Sequence, residues 1–390
     1  MNVAKLGELI RPAKVQRAGS ESYPLLSMTM RHGLVPQDEK FKKRVAGADL
    51  SQYKVIKQNQ LVVGFPIDEA VLAFQRSIPA GIVSPAYGVW DLTDNAVTDE
   101  LYLERFLRSP QAIAYYKAKL QGSTARRRSL PNPVFLDMEV PFPSFDEQRR
   151  IAAVLDKADE LRTKRRQALA RLDALIQSIF HAVFGEARQN CKNWPTQNIG
   201  ALLEFGPQNG MYLPASEYGS GAPIVRIDSF RGGVVDELSS LKRLRATVKD
   251  LETYGLRAGD ILINRVNSIE HLGKAAVVPE LEEPTVFESN MMRCRFDRSK
   301  VHPEYLRTAL QSEYMYNQIV RRAKRAVNQA SINQTDVRGM EIRIPPMELQ
   351  RSFADRVTVV DRLKKTHGKH LAELDALFAS LQHRAFKGEL

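Results

Sequence analysis

Two stretches of this chain carry apolar residues at alternating intervals of three and four, with charged residues between them. In the first, the stripe runs Ile151, Val154, Ala158, Leu161, Ala168, Leu172, Leu175, Ile179, Val183. In the second it runs Phe353, Val357, Val360, Leu363, Leu371, Leu374, Leu377, Leu381. Such spacing predicts long amphipathic helices whose apolar faces need a partner. Each is the obvious partner of the other, in a coiled-coil-like seam through Ile151, Ala158, Leu161, Leu172, Leu175 and Ile179 on one side. The other side offers Phe353, Val360, Leu363, Leu374, Leu377 and Leu381. At 1.5 Å per residue, helices of about 39 residues would be about 58 Å long. Both stripes break near the middle, at Arg165 and His367.

Elsewhere the pattern is shorter and mixed. Val55-Ile56, Leu61-Val62-Val63 and Ile82-Val83 read as strands, as do Ile224–Ile227, Asp260–Ile263 and Ala275–Val278. Helical patterns follow at Glu100–Leu120 and Pro303–Ala326. The expected organisation is a globular α+β domain (1–143), a helix (144–187), a second α+β domain (188–345) and a second helix (346–390).

The helical stretches are copies. Met138–Phe184 aligns with Met340–Phe386 without a gap, at a constant offset of 202, with 17 identities in 47 positions. Unrelated sequences would give roughly three. A block of this length indicates a duplicated unit. Fainter anchors extend it: Leu6–Ile10 with Ile199–Leu203, Tyr102-Leu103 with Tyr305-Leu306, and Ser129-Leu130 with Ser331-Ile332. If equivalent domains occupy opposite ends of one helix pair, the helices run antiparallel. Two similar modules on a two-fold scaffold suit a target with two halves, such as B-form DNA.

Charge sharpens this reading. Net charge is +12, from 57 Lys and Arg against 45 Asp and Glu. Divided at Ala187, the two parts hold 27 against 21 and 30 against 24, so the basic excess follows the duplication. A polyanion touched by both units is the simplest implication. The two cysteines, Cys191 and Cys294, form no C-x-x-C pair, which argues against a disulfide framework or a cysteine zinc site. No apolar run approaches the ~20 residues of a membrane span, and Met1–Lys5 shows no signal-peptide core, so a cytoplasmic protein is expected.

Catalytic patterns are sparse. Asn132-Pro133-Val134-Phe135 approaches the N-P-P-[Y/F] loop of amino-methyltransferases but lacks the second proline, and no glycine-rich cofactor turn precedes it. No P-loop signature occurs. The chain is expected to carry no catalytic residue, no cofactor and no metal. Recognition chemistry remains: Arg, Asn and Gln read base edges, while Arg and Lys hold phosphates. Candidates in the first domain are Arg31, Lys42, Lys43, Arg44, Arg76, Arg126, Arg127 and Arg128. In the second they are Arg226, Asn264, Arg265, Asn267, Arg321, Arg322, Lys324, Arg325 and Gln329. The basic runs before Ser129 and Ser331 stand out because they recur at matched places. A self-contained DNA methyltransferase or nuclease, or a stand-alone DNA-binding regulator, are the alternatives.

Over its full length the chain resembles the specificity subunits of type I restriction–modification systems. Four stretches carry the resemblance. Pro141-Phe142-Pro143 through Glu147-Gln148-Arg149-Arg150-Ile151 is similar to the family's entry into its central helix. Gly81–Tyr87 resembles a phrase common in family recognition domains. So does Gly259–Arg265, followed by Gly273–Val277. The ending Ala385–Leu390 is also typical. One departure is Leu349, where the family prefers Glu. The resemblance implies two target-recognition domains reading an asymmetric bipartite double-stranded DNA site, held apart by the helix pair. It also implies two modification (methyltransferase) subunits and restriction/translocase subunits as partners. Those partners would use S-adenosylmethionine, ATP and Mg.

Overall fold

The fold was taken from a computed structural model, which describes residues 2–29, 33–37, 49–120, 130–185, 190–231, 233–235 and 238–390. Two long helices dominate, Phe145–Phe184 and Met347–Lys387. The chain divides into two compact units, and the division runs through both helices. The first unit is Met1–Arg165 with His370–Leu390; the second is Arg166–Lys369. Each therefore owns one globular part, one half of the first helix and one half of the second. The four consecutive segments expected from sequence describe connectivity, whereas compactness follows the cores. The division falls at or within three residues of Arg165 and His367, where both apolar stripes break.

In the first unit, a four-stranded antiparallel sheet runs in the order Ile10–Pro12, Gly88–Leu92, Leu61–Val63, Leu72–Phe74. Lys54–Lys57 pairs with Ala80–Val83, and Leu26–Thr29 forms a hairpin with Gly33–Pro36. The pattern at Glu100–Leu120 resolves into two helices, Glu100–Leu107 and Pro110–Lys119. Ser109 divides them: its hydroxyl accepts from Ala112 N at 3.2 Å, and Pro110 follows where its missing N–H does no harm. The core gathers Leu61, Leu72, Trp90, Tyr102, Phe106 and Tyr116 with Ile151 and Leu155 of the first helix and Ala385 and Phe386 of the second.

The second unit is built on a larger sheet, ordered Leu203–Asn209, Met291–Phe296, Ile261–Asn264, Ala275–Val277, Val234–Val235, Phe230–Arg231. Its helices Pro303–Leu310 and Glu313–Arg322 are divided in the same way, by Ser312 accepting from Met315 N at 3.4 Å. The helical pattern expected to reach Ala326 stops at Arg322, and Lys324–Ala326 is a strand. Phe180 and Phe184 enter the core with Tyr305 and Phe353, at ring-centroid distances of 4.8 to 5.7 Å.

The duplication is visible bond by bond. Tyr102 Oη donates to Pro141 O at 2.7 Å, and Tyr305 Oη donates to Arg343 O at 2.7 Å. Leu6 N bonds Met138 O and Ile199 N bonds Met340 O, both at 2.8 Å. At the entry to each long helix lies a glutamine with no exposed surface, Gln148 or Gln350. Gln148 Oε1 accepts from Asp99 N at 2.9 Å, and Gln350 Oε1 accepts from His302 N at 2.8 Å. Both acceptor contacts hold the residue that caps the first helix of the pair. The amide of Gln148 donates to Val97 O and Pro143 O; that of Gln350 donates to Pro345 O at 2.7 Å. The Leu349 departure leaves this junction intact. Glu147 sits outside it, paired with Arg150 at 2.7 Å, and Leu349 packs against the second core.

Gln350→Leu should therefore destabilise the second unit by about 1–3 kcal/mol, because it strands a buried donor and acceptor. Urea denaturation of the purified chain measures this; a change below about 0.5 kcal/mol would contradict the assigned role.

Within each unit the helix halves are antiparallel. In the first, Arg150 Nη2 donates to Leu390 O at 2.7 Å and Arg162 Nε to Asp375 at 2.6 Å. In the second, Lys364 pairs with Asp173 at 2.7 Å while Phe184 meets Phe353. Arg162 and Lys364 are repeat equivalents, as are Asp173 and Asp375. One cross-helix ion pair is thus made twice, with its members exchanged between helices. Arginines also tie the globular parts to the long helices. Arg105 reaches Asp156 at 2.6 Å and Asp159 at 3.0 Å; Arg307, only 2% exposed, reaches Asp361 at 3.1 Å and Glu304 at 2.8 Å. Burial raises the Glu304 carboxyl above its usual range, against the opposing pull of Arg307.

Candidate nucleic-acid interface

A small three-stranded sheet in the second unit collects residues that are far apart in sequence. Lys324–Ala326 and Gln329–Ser331 form a hairpin, and Val266–Asn267 adds to its other edge. Asn267 stands opposite Ala330, which stands opposite Arg325. Ile332 N donates to Arg265 O at 3.0 Å and fixes the register. Ala330 and Ile332 point into the core, which orients the ribbon. Lys324, Arg325, Ala326, Val327, Asn328 and Gln329 are all exposed. Lys324 and Arg325 make no ion pair among the described residues, so their charge is available to a polyanion. The turn is two residues long, with Asn328 at φ +64°, a left-handed conformation that asparagine tolerates.

Neighbouring candidates have structural partners. Arg265 Nη1 donates to Ser289 O at 3.0 Å, and Arg265 Nε is buried with no partner among the described residues. Asn264 is 1% exposed, and its Oδ1 is buried with no partner among the described residues, so it presents no edge to a groove. Asn267 Oδ1 accepts from Ser268 N at 2.8 Å. Arg322 donates to Gln318 O at 3.3 Å and Gly339 O at 3.1 Å, closing the end of its helix, while Arg321 is exposed. Two expected DNA contacts are engaged within the protein. Arg226 pairs with Glu288 at 3.3 Å and lies over Tyr218, and Arg76 pairs with Glu104 at 3.0 Å and Glu100 at 3.7 Å. Arg31, Lys42, Lys43, Arg44, Arg126, Arg127 and Arg128 lie outside the described residues.

On the long helices the buried face is rotated from the expected one. Ile151 and Ala158 are buried, as are Phe353 and Val360; Leu172, Ile179, Leu374 and Leu381 are half-buried. Leu161, Leu175, Leu363 and Leu377, expected in the seam, are instead 43 to 49% exposed. At Leu175 the neighbouring face from Ile176 through Phe180 to Phe184 is the buried one, because the globular part offers Tyr305 to its rings. The four exposed leucines are themselves repeat equivalents, Leu161 with Leu363 and Leu175 with Leu377. Leu161 and Leu377 belong to the first unit, Leu175 and Leu363 to the second. The ion pairs at Arg162 and Lys364 left no mark in the hydrophobic pattern. Their signal was charge of the same sign kept at both copies of each position.

Asn132–Leu136 is a short helix whose Phe135 is buried among Trp90 and Tyr116, so this stretch is a core turn and not a base pocket. Burial pushes the Cys294 thiol up to about 12, far from a nucleophile's range. Among the described residues, no group of three His, Cys, Asp or Glu could hold a metal ion. None of the described helices is long and apolar enough to cross a membrane.

Comparison with known proteins agrees with this architecture. Residues 192–376 match the family model described as type I restriction modification DNA specificity domain. A putative type I restriction enzyme MjaX specificity subunit from Methanocaldococcus jannaschii is 30% identical over 197 residues, covering 50% of this chain and 46% of the relative. The EcoKI specificity subunit of Escherichia coli strain K12 is 27% identical over 311 residues, covering 75% and 67%. The chain thus spans about half the length of the first relative and about two thirds of the second. The crystal structure of a type I restriction–modification S subunit from M. genitalium shares the fold, with a TM-score of 0.58 over 99% of this chain and 96% of that one, at 15% identity.

Proposed function

We propose that the chain is a specificity subunit of a type I restriction–modification system, the family whose DNA specificity domain matches residues 192–376, and that it reads a two-part double-stranded DNA target for an enzyme complex. Each unit reads one half of the target. The halves differ because the globular parts differ: among the described residues, the six-stranded sheet lies in the second, while the largest sheet of the first has four strands. The long helices set the gap between half-sites. The observation that carries this reading is the ribbon at Lys324–Ser331, which presents two unpaired cations and two amide side chains on an exposed two-stranded element. A two-stranded ribbon fits the major groove of B-form DNA.

Partners supply the chemistry. Two modification subunits dock on the long helices, one at Leu161 and Leu377 and one at Leu175 and Leu363, so the repeated leucines explain a repeated partner. Restriction and translocase subunits complete the complex. Adenine methylation with S-adenosylmethionine, and cleavage driven by ATP with Mg, belong to those subunits; this chain contributes no catalytic group.

The test is methylome sequencing of cells carrying the intact system. It should return one asymmetric motif of two short sequences around a fixed gap. Exchanging the part from Thr196 to Arg343 for another family member's should alter one half of the motif. A motif altered in both halves would refute independent readers.

A further inference from the structure

Val327 occupies the tip of the ribbon and is 92% exposed, more than any other large apolar residue among those described; Tyr212 follows at 80%. The Val327 side chain joins none of the hydrophobic clusters among the described residues. Of the two turn residues only Asn328 is in the left-handed region, so the backbone tolerates a β-branched residue at Val327 but does not call for one, and the side chain gains no burial there. An apolar side chain held this far out, on a rigid tip and with no packing contact among the described residues, is placed to meet a ligand. Its surroundings identify the ligand: Lys324, Arg325, Asn328 and Gln329 flank it, all exposed. Cations and amides around one apolar tip match the major groove, where phosphates rim a floor of base edges. The apolar feature of that floor is the C5-methyl group of thymine.

We propose that Val327 is a specificity-determining residue that packs on a thymine methyl in the half-site read by the second unit. This rests on the DNA-reading function proposed above. The cations hold the ribbon on the backbone and the valine selects thymine over cytosine and over unmethylated pyrimidines. The turn's rigidity places the side chain, since both strands are paired up to Ala326 and Gln329.

The experiment uses the assembled complex and duplexes bearing the methylome-defined target. Each thymine of the half-site is replaced in turn by deoxyuridine, which lacks only the methyl. Wild-type complex should lose about four-fold in affinity at one position, the worth of one methyl contact. Val327→Ala should bind the thymine duplex about as weakly as wild type binds that uracil duplex, and should be indifferent to the replacement. Val327→Thr, which keeps a methyl, should restore part of the discrimination. The inference is overturned if the uracil penalties are the same in wild type and Val327→Ala. It is also overturned if Val327→Ala weakens all sequences equally, as a wedge between bases or a purely structural residue would. Failure of the wild-type complex to prefer its target over unrelated DNA would instead overturn the DNA-reading function itself.

Discussion

Phe353→Ala is expected to lower the stability of the second unit by about 3–5 kcal/mol, the cost of emptying an aromatic site in a packed core. Phe353 has no exposed surface and touches the rings of Phe180 and Phe184. Those rings also contact Tyr305, whose hydroxyl holds Arg343 O. The substitution therefore removes the residue through which both long helices and the globular part share one core. The surrounding groups have little freedom to collapse, because Tyr305 is fixed by its hydrogen bond. Urea titration followed by hydrogen exchange of peptides covering 176–184 and 350–360 tests it. Wild-type protection persisting at the wild-type midpoint would show that the cluster is not the keystone assigned here.

Removing both free cations of the ribbon, as Lys324→Ala with Arg325→Ala, should reshape DNA binding more than any single base contact. Each phosphate contact contributes about 0.9 to the slope of log affinity against log salt. The double variant should flatten that slope by about 1.8. Referred to 1 M salt, where the counterion contribution vanishes, the loss is about 60-fold at 0.1 M. The loss should be the same for target and unrelated DNA, because phosphates carry no sequence information. Both side chains are exposed, so the fold should be unaffected. A slope unchanged in titrations of the assembled complex would remove these residues from the interface. A loss confined to the target sequence would make them base readers.

The duplication was legible because covalent spacing is what a sequence records directly. Its copies carried the glutamine junction and the paired helix caps with them. The phase of the long helices was less legible. Two apolar tracks lie side by side there, Leu175, Ile179 and Val183 next to Ile176, Phe180 and Phe184. Periodicity weighs them alike. The choice was made by Tyr305 and Phe353, more than a hundred residues away. Basic residues posed the same difficulty. Arg76, Arg226 and Lys324 look equivalent in a string of letters. Only the fold places carboxylates beside the first two, and the partners Glu104 and Glu288 lie 28 and 62 positions distant. The ribbon itself was half visible: its residues were candidates, but strand pairing between Val266 and Ser331 was not readable from either segment alone.

The division of the long helices has a consequence for how the molecule is made. The second unit is one unbroken segment, Arg166–Lys369, whereas the first joins Met1–Arg165 to His370–Leu390. A ribosome delivers the chain from the amino end, so the second unit is synthesised whole while the first still lacks Ala385 and Phe386. Phe386 fills the space against Tyr102 and Phe106. The half translated earliest is therefore the last to mature, and it waits open-cored for the final turns of helix to emerge from the exit tunnel.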